Sequence, residues 1–233
     1  MIKINKYSEL GRHTIDWLDA RYHFSFSSYY NPERMGFGCL RVINDDIIKA
    51  GTGFGTHPHR DMEIITYVRK GAITHEDSQG NRGRTEAGDV QVMSAGSGIY
   101  HSEHNLENID TNLFQIWIEP NKKSVEPRWD AITFPKDFCD DELRLLVSGR
   151  EEDKDKKVLY INQDAAIFGG RIKQNNNINQ KIKNLGYLLV SEGEIEINGK
   201  SLSRGDSAEI TENQNIKINA LKDSEVLLID VPE

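Results

Sequence analysis

The sequence has no long hydrophobic run, since no segment approaches the roughly 18 apolar residues that a membrane-spanning helix needs. Its first residues, MIKINKYSELGRHTIDW, show neither an apolar core nor a small-residue cleavage site, so no signal peptide is predicted. Cysteine is scarce, with Cys39 and Cys139 far apart in the chain. Disulfide-stabilised domains carry more cysteines, so we expect two reduced thiols and a cytoplasmic protein. The 37% hydrophobic and 28% charged residues are typical of a soluble globular protein.

Positive charge is also in short supply. Lys and Arg total 29 against 37 Asp and Glu, which gives a formal net charge of −8. Such a surface repels the phosphate backbone, and no basic run with interleaved aromatic residues compensates for it. We therefore expect no direct binding to nucleic acid and no membrane partner, whereas a protein partner is compatible with the charge. We expect a monomer, because no exposed apolar repeat demands assembly.

Helical periodicity is rare, and strand patterns dominate. Residues 8–18 (SELGRHTIDWL) are the best candidate for a short helix, with an irregular turn as the alternative. Residues 22–30 (YHFSFSSYY) alternate Tyr and Phe with polar residues, as a half-buried strand does. Further strand-like runs follow, punctuated by Gly, Asn and Asp: GCLRVIN, EIITYV, DVQVM, LFQIWIEP, LRLLVS, KVLYIN, GYLLVSEGEIEING and EVLLIDVPE. Many short strands predict an all-β sandwich or barrel.

A weak internal repeat indicates two related β units. The segment YVRKGAITHEDSQGNRGRTEAGDVQVM contains a strand, the turn glycine Gly71, a hairpin and then Gly88, 17 residues after Gly71. The segment LLVSEGEIEINGKSLSRGDSAEI has the same order around Gly193, with Gly205 following after 12 residues. Repeats of this kind are identified before a fold is assigned, because they show how many similar units the chain contains.

We assign residues 1–132 to an N-terminal domain and residues 133–233 to a C-terminal domain. The polar stretch at residues 150–157 (REEDKDKK) is predicted as a solvated loop. Residues 174–181 (QNNNINQK) are predicted as another exposed loop.

Two histidine-containing segments are candidates for a metal site. His57 and His59 flank Pro58, which disfavours a helix, and side chains at i and i+2 of a strand point to one face. His101 and Glu103 have the same spacing and follow a Gly-Ser-Gly turn. If the two segments are neighbouring strands, three imidazoles and one carboxylate converge, a ligand set that suits a divalent first-row metal. Four protein ligands would leave two open positions, as in a catalytic site.

The spaced motifs resemble those of the cupins. They read GxxxxxHxHxxxE at residues 51–63, GxxxxxSxG at residues 88–96 and GxxHxxxN at residues 98–105. More narrowly, THPHRDMEIITYV, HEDSQGN, GDVQVMSAGSGIYHSE and FSFSSYYNPERMGFG resemble the pirins, a bicupin family. The resemblance covers most of residues 20–120. It implies an all-β bicupin fold of two β-barrel, jelly-roll domains.

The resemblance also bears on the ligands. In many cupins the glutamate of the first motif, here Glu63, is a ligand, whereas the resemblance to pirins implies Glu103. We therefore expect His57, His59, His101 and Glu103 to bind the metal, and keep Glu63 as the alternative carboxylate or an outer hydrogen-bond partner. The cofactor is expected to be one divalent transition metal, iron first, with nickel, copper, cobalt, manganese or zinc compatible.

The remaining histidines and tryptophans are given lesser roles. His104 is the last histidine, so residues 105–233 supply no imidazole, and one metal per chain is expected in the N-terminal domain. The alternation of a strand turns His104 away from His101. His75 either lines the cavity or is exposed. Trp117 and Trp129 are predicted to lie in the core or at the rim of the barrel.

These expectations lead to two functions of different class. A metal with open positions would bind a bidentate oxygen ligand such as a catechol or a flavonol, and Glu103 is the candidate base. The resemblance to bacterial pirins implies a quercetin 2,3-dioxygenase that cleaves the flavonol ring. As an alternative, it also allows a metal-containing regulatory protein that acts through a protein partner with little turnover. A sugar isomerase of the cupin type ranks last, because no sugar-phosphate site is evident.

Overall fold

The computed structural model describes residues 1–212 and 215–233, and these form two compact units. The N-terminal unit comprises Gly11–Phe134 and Leu159–Gln163, and the C-terminal unit comprises Met1–Leu10, Pro135–Val158 and Asp164–Glu233. Both units consist mainly of β-strands, so the predicted all-β fold of two β domains is confirmed. In the described part of the chain, no helix is long and apolar enough to cross a membrane.

The strands are short and follow one another through tight turns. Two 3₁₀ helices, Tyr7–Glu9 and Glu151–Asp153, interrupt them. In chain order the strands are β1 (Ile2–Asn5), β2 (Gly11–Thr14), β3 (Leu18–Tyr22), β4 (Leu40–Ile48), β5 (Gly53–His59), β6 (Glu63–Lys70), β7 (Ala72–Asp77), β8 (Arg82–Glu86), β9 (Val90–Ser94), β10 (Ile99–His104), β11 (Thr111–Ile118), β12 (Arg128–Ile132), β13 (Arg144–Ser148), β14 (Leu159–Tyr160), β15 (Ala166–Ile172), β16 (Asn177–Lys181), β17 (Leu185–Glu192), β18 (Glu194–Ile197), β19 (Lys200–Ser203), β20 (Ser207–Ile210), β21 (Asn215–Ala220) and β22 (Ser224–Val231).

Each unit contains a larger and a smaller antiparallel sheet. In the N-terminal unit the larger sheet has the strand order β12-β9-β6-β11-β4-β3-β2, and the smaller has the order β5-β10-β7-β8. In the C-terminal unit the larger sheet runs β1-β20-β17-β22-β15-β13, and the smaller runs β16-β21-β18-β19. The two segments with paired histidines, β5 and β10, are neighbours in the smaller N-terminal sheet.

The interiors of the two units differ in chemistry. In the C-terminal unit the buried cluster is aliphatic, as the alternating pattern of its strands requires, with members that include Leu188, Val190, Ile195, Ile197, Leu202, Ile210, Ile216, Ile218, Val226 and Leu228. Burying each such side chain stabilises a fold by about 1.5–3 kcal/mol. In the N-terminal unit the buried residues also include the polar set Asn44, Asp46, Thr66, Gln91, His101, Glu103 and Gln115. Polar groups inside a unit are costly, which directs attention to this interior.

The internal repeat is present in the structure. Gly71 joins β6 to β7 with φ +73°, and Gly193 joins β17 to β18 with φ +83°. A Cβ atom at Gly71 would lie 2.6 Å from Thr111 Oγ1, and one at Gly193 would lie 2.4 Å from Ser224 Oγ. Thr111 begins β11 and Ser224 begins β22, so the two glycines occupy matching places. Each needs a left-handed conformation and a close backbone approach, which only glycine allows without strain.

Several local predictions were wrong. Residues 22–30 do not continue a strand, because β3 ends at residue 22 and the chain then turns. Residues 8–18 contain the end of the 3₁₀ helix Tyr7–Glu9, then β2 and the first residue of β3, and do not form the predicted helix. Residues 174–181 are not a loop throughout, since residues 177–181 form β16, which pairs with β21. Asn and Gln disfavour a strand by themselves, and the pairing with the apolar alternation of β21 overrides that preference.

The predicted domain boundaries differ from the compact units in two segments of the chain. Residues 1–10, assigned to the N-terminal domain, contribute β1 to the C-terminal unit, where Ile2 pairs with Ile210. Residues 159–163, assigned to the C-terminal domain, belong to the N-terminal unit. Pairing between strands about 200 residues apart leaves no local signal in the sequence. The boundary between residues 132 and 133 stays a prediction, and the compact N-terminal unit continues to Phe134.

Candidate metal centre

The two histidine segments pair as antiparallel neighbours. In the register of β10 with β5, His101 lies opposite His57 and Ile99 lies opposite His59. The register shifts by one residue between His101 and Glu103, which places Glu103 opposite Phe54. Such a bulge bends the strand and re-aims its side chains, as is common beside functional sites.

The three predicted histidines come together. Their ring centroids are 4.8 Å apart for His57 and His59, 4.5 Å for His57 and His101, and 4.9 Å for His59 and His101. One nitrogen atom from each ring belongs to a set in which all members lie within 4.8 Å of one another. His57 Nε2 and His101 Nε2 are 3.1 Å apart. This is the arrangement from which three imidazoles can reach one metal ion.

The local contacts and the low pKa values suit these imidazoles to metal binding. His57 Nδ1 lies 2.7 Å from the Gly55 carbonyl oxygen, to which it can donate, and this leaves the lone pair on Nε2. Burial first, and then the neighbouring histidines, lower the pKa of His101 to about 3 and that of His59 to about 4. Neutral imidazole is the form that binds a metal. The histidines therefore fit a transition-metal ion through the chemistry of their donor atoms.

Glu103 is held by side chains of the opposite sheet. Its Oε1 accepts hydrogen bonds from Gln91 Nε2 at 2.8 Å and from the Thr66 hydroxyl at 3.2 Å. Its Oε2 accepts one from Gln115 Nε2 at 2.8 Å. Glu103 is only 2% exposed, so these donors replace the water that the carboxylate loses on folding. The carboxylate is thereby fixed beside the histidines.

The alternative carboxylate, Glu63, has other partners. Ser94 Oγ donates to Glu63 Oε2 at 2.6 Å, and Asn162 Nδ2 donates to Oε1 at 3.0 Å. Glu103 lines the cavity that the histidines face, whereas Glu63 is not among its lining residues. Within the described residues, Glu103 also belongs to a potential ligand group together with His75 and His101, and no such group includes Glu63. Glu103 thus shares a potential ligand group with His101 but is not a member of the group formed by His57, His59 and His101. Its role as the carboxylate ligand stays a prediction.

His75 is a residue whose role was left open by the sequence. It is buried on β7, where its Nε2 lies 3.0 Å from Asp77 Oδ2 and its Nδ1 lies 3.4 Å from His101 Nδ1. Its ring stacks on Trp129 at 5.1 Å. In the register of β10 with β7, His101 is opposite Asp77 and Glu103 is opposite His75. The i, i+2 spacing of His75 and Asp77 in the motif HED was the sequence signal that could have predicted their contact.

The cavity beside these groups has a volume of about 350 Å³. Its lining combines aromatic and polar side chains: Trp17, Phe26, Asn44, Asp46, Phe54, Gly55, His57, His59, Ile64, His101, Glu103, Gln115 and Trp117. Trp117, predicted as a core or rim residue, is in this wall and meets the His59 ring edge-to-face at 4.9 Å. His104 is not among the lining residues.

The chain matches known families along most of its length. A family model described as Pirin matches residues 4–118, and one described as Quercetinase C-terminal cupin domain matches residues 145–231. A protein of Pseudomonas aeruginosa named "Putative quercetin 2,3-dioxygenase" is 50% identical over 233 residues, which are 99% of this chain and 100% of that protein. The "Quercetin 2,3-dioxygenase" of Escherichia coli K12 is 42% identical over 100% of this chain and 99% of that protein.

A solved structure gives the same relation. The bacterial pirin YhhW from Escherichia coli, crystallised in complex with nickel(II), superposes with a TM-score of 0.91. Its sequence is 40% identical, and the match covers 100% of this chain and 99% of that chain. Together with the cluster of three histidines beside Glu103, these matches show that the chain belongs to the pirin family of bicupin proteins.

Proposed function

We propose that the protein is a metal-dependent dioxygenase that binds a flavonol such as quercetin and cleaves its ring oxidatively. The observation that carries the proposal is the position of His57, His59, His101 and Glu103 in the wall of one aromatic-lined cavity. The names of the relatives support the substrate class. The two free cysteines are consistent with a cytoplasmic enzyme.

In this proposal the three histidines and Glu103 hold one divalent transition metal, expected to be iron. Both potential ligand groups in the described residues contain His101, so they cannot be filled independently. When bound, the ion supplies Lewis acidity and redox chemistry with dioxygen. Nickel(II) in the crystallised relative supports the same kind of site, and the donor types accept several first-row metals.

The cavity suits a flat aromatic ligand. Its volume of about 350 Å³ lies within the range of small-molecule sites, roughly 300–1,000 Å³. Trp17 and Phe54 meet edge-to-face at 5.0 Å, and Trp117 lies against His59. These rings exclude water and offer apolar faces to the rings of a flavonol. The 3-hydroxy-4-keto edge of the flavonol would then face the histidines.

Glu103 is the group assigned to proton transfer. A flavonol binds a metal best after losing its 3-hydroxyl proton, which an adjacent carboxylate can accept. Thr66 has a single hydroxyl hydrogen, and both Glu103 Oε1 and Gln115 Oε1 lie 3.2 Å from its oxygen. The hydroxyl can therefore turn from Glu103 to Gln115 and release a lone pair on the carboxylate. Thr66 thus allows Glu103 to take a proton without moving its amide partners.

The first test is elemental analysis of anaerobically purified protein, followed by oxygen uptake with quercetin. We expect about one metal per chain and metal-dependent uptake. The variants His57→Ala, His59→Ala and His101→Ala should lose most of the metal and lower the rate by more than about 100-fold, beyond the 10–100-fold typical of outer partners. His104→Ala is the matched control, because His104 is on the same strand as His101 but is not among the residues that line the cavity. Full metal content in all three variants would contradict the ligand assignment.

A second function rests on Tyr100, which is next to His101 in the sequence and is 58% exposed. Tyrosine is enriched in protein–protein interfaces, so this exposed ring suits a protein partner. The alternative is therefore a metal-containing regulatory protein with little turnover. One metal per chain without oxygen uptake, together with a partner that Tyr100→Ser no longer binds, would favour it.

A further inference from the structure

Strand β4 turns two buried polar side chains towards the cavity. Asn44 and Asp46 are only 4% and 2% exposed, and both line the cavity. The Oδ1 atom of each has no hydrogen-bond partner among residues 1–212 and 215–233. Their i, i+2 spacing places them on one face of the strand. Asn44 lies opposite Gln115 in the register of β4 with β11, and Gln115 binds Glu103. The two oxygens thus flank the row of side chains that holds Glu103.

Trp117 adds a donor to the same wall. Its Nε1 is also buried without a hydrogen-bond partner in the described part of the chain. Its ring meets Phe26 edge-to-face at 5.4 Å and His59 at 4.9 Å, so contacts on both sides fix the indole. Trp117 lies two residues after Gln115 on β11, on the same face. Two acceptors and one donor therefore border the cavity.

Buried polar atoms without partners are rare in folded proteins, because each costs about 1–3 kcal/mol in lost solvation. Three of them around one cavity form a pattern that a bound molecule can complete. An apolar ligand would bury these atoms without compensation. A ligand with hydroxyl groups would donate to the oxygens and accept from the indole. The wall therefore selects for ligands with polar substituents.

We propose that Asn44, Asp46 and Trp117 form a hydroxyl-binding subsite, which selects polyhydroxylated aromatic ligands over less hydroxylated ones. The orientation of the ligand towards the histidines depends on the proposed function, whereas the subsite is inferred from the three buried atoms without partners. Burial, and then the nearby carboxylates of Asp45 and Glu103, raise the pKa of Asp46 well above its usual value. The protonated carboxyl can donate as well as accept, so the subsite suits the amphoteric phenol group.

The test compares quercetin with 3-hydroxyflavone, which has the same 3-hydroxy-4-keto unit but lacks the other hydroxyl groups. Anaerobic calorimetric titration of the metal-loaded protein should show quercetin binding about tenfold more tightly. Asn44→Leu and Asp46→Leu should each reduce that preference, while 3-hydroxyflavone binds as before or better. Trp117→Phe keeps an aromatic ring but loses the donor, so it should also reduce the preference for quercetin. Asp46→Asn is the matched control, because its amide keeps a carbonyl acceptor in the same shape and should keep the preference.

Thermal unfolding identifies the variants that fold. If Asp46→Leu does not fold, the binding preference of Trp117→Phe tests the subsite. A preference that is absent in the wild type, or unchanged in every folded variant, overturns the subsite and leaves the proposed function standing. If the wild type binds neither flavonol, the proposed function fails. The subsite is then tested separately, by comparing the binding of p-cresol and toluene in ligand-observed NMR. Preference for p-cresol that Asn44→Leu removes supports the subsite, and equal binding overturns it.

Discussion

Gln115 on β11 donates a 2.8 Å hydrogen bond to Glu103 Oε2 on β10, although the two strands belong to different sheets of the N-terminal unit. Gln115 lies opposite Thr66 on β6, and Thr66 lies opposite Gln91 on β9. The three side chains form one row across the larger sheet, and all of them bind the same carboxylate. The register of one sheet thus determines how Glu103, a candidate ligand in the other sheet, is oriented.

We predict that Gln115→Leu weakens both the fold and the metal site. The substitution keeps the volume of the side chain but leaves Glu103 Oε2 buried without its donor, which costs about 1–3 kcal/mol of unfolding free energy. Metal affinity should fall by about 10–100-fold, as for other outer partners of a ligand. Denaturant unfolding and chelator competition measure the two effects. An unchanged metal affinity would show that Gln115 does not orient a ligand.

A second prediction concerns the chain of contacts from Asp77 through His75 to His101. The Asp77 carboxylate beside His75 Nε2 favours a proton on that nitrogen, so His75 Nδ1 can accept from His101 Nδ1 and leave His101 Nε2 for the metal. His75→Phe keeps the stacking on Trp129 but removes the acceptor. We expect a 10–100-fold loss of metal affinity.

The control for this effect is Trp129→Phe, which alters the stacking partner but leaves the hydrogen bonds of His75 in place. Its metal affinity should stay within about threefold of the wild type, well below the loss expected for an outer partner. Equal losses in both variants would mean that packing around His75, and not its nitrogen, supports His101.

A third prediction separates the two carboxylates. Glu103→Gln should lose most of the bound metal, because a neutral amide binds a divalent ion much more weakly than a carboxylate does. Glu63→Gln should retain the metal and lose stability by about 1–2 kcal/mol, since Ser94 and Asn162 both donate to Glu63. Elemental analysis of the two purified variants decides. Metal loss in Glu63→Gln alone would reverse the assignment.

Strand alternation in the sequence was sufficient to predict which side chains of the candidate site line one cavity. Spacing at i, i+2 predicted that His57 and His59 share a face and that His101 shares one with Glu103. The sequence could not predict the partners of Glu103, because Thr66, Gln91 and Gln115 come from three separate strands and meet only through sheet register. Their side chains are ordinary for half-exposed strand positions, and nothing local marks them as buried.

The wrong predictions have the same physical origin. Residues 22–30 alternate as a strand does, yet β3 ends at residue 22, and the chain bends so that Phe26 and Tyr29 pair with each other. Both rings then pack on Tyr22. Packing against a neighbouring side chain uses the same apolar residues as a strand would. Alternation alone therefore cannot distinguish the two structures.

The last prediction concerns pH and uses His23, which lies outside the cavity. His23 is buried, and burial followed by Arg34 and Arg69 lowers its pKa from 6.5 to about 3. Below pH 6.5 the unfolded chain binds a proton at His23 and the folded protein does not, so stability is lost as the pH falls from 6.5 towards 3.

His23→Gln removes this dependence. The difference in unfolding free energy between wild type and His23→Gln should shift against the wild type by roughly 3 kcal/mol between pH 7 and pH 4. Urea unfolding of the metal-free proteins measures it, and the histidines of the site cancel because both proteins contain them. Parallel stability curves for the two proteins would mean that the His23 imidazole is protonated in the folded protein as readily as in the unfolded chain.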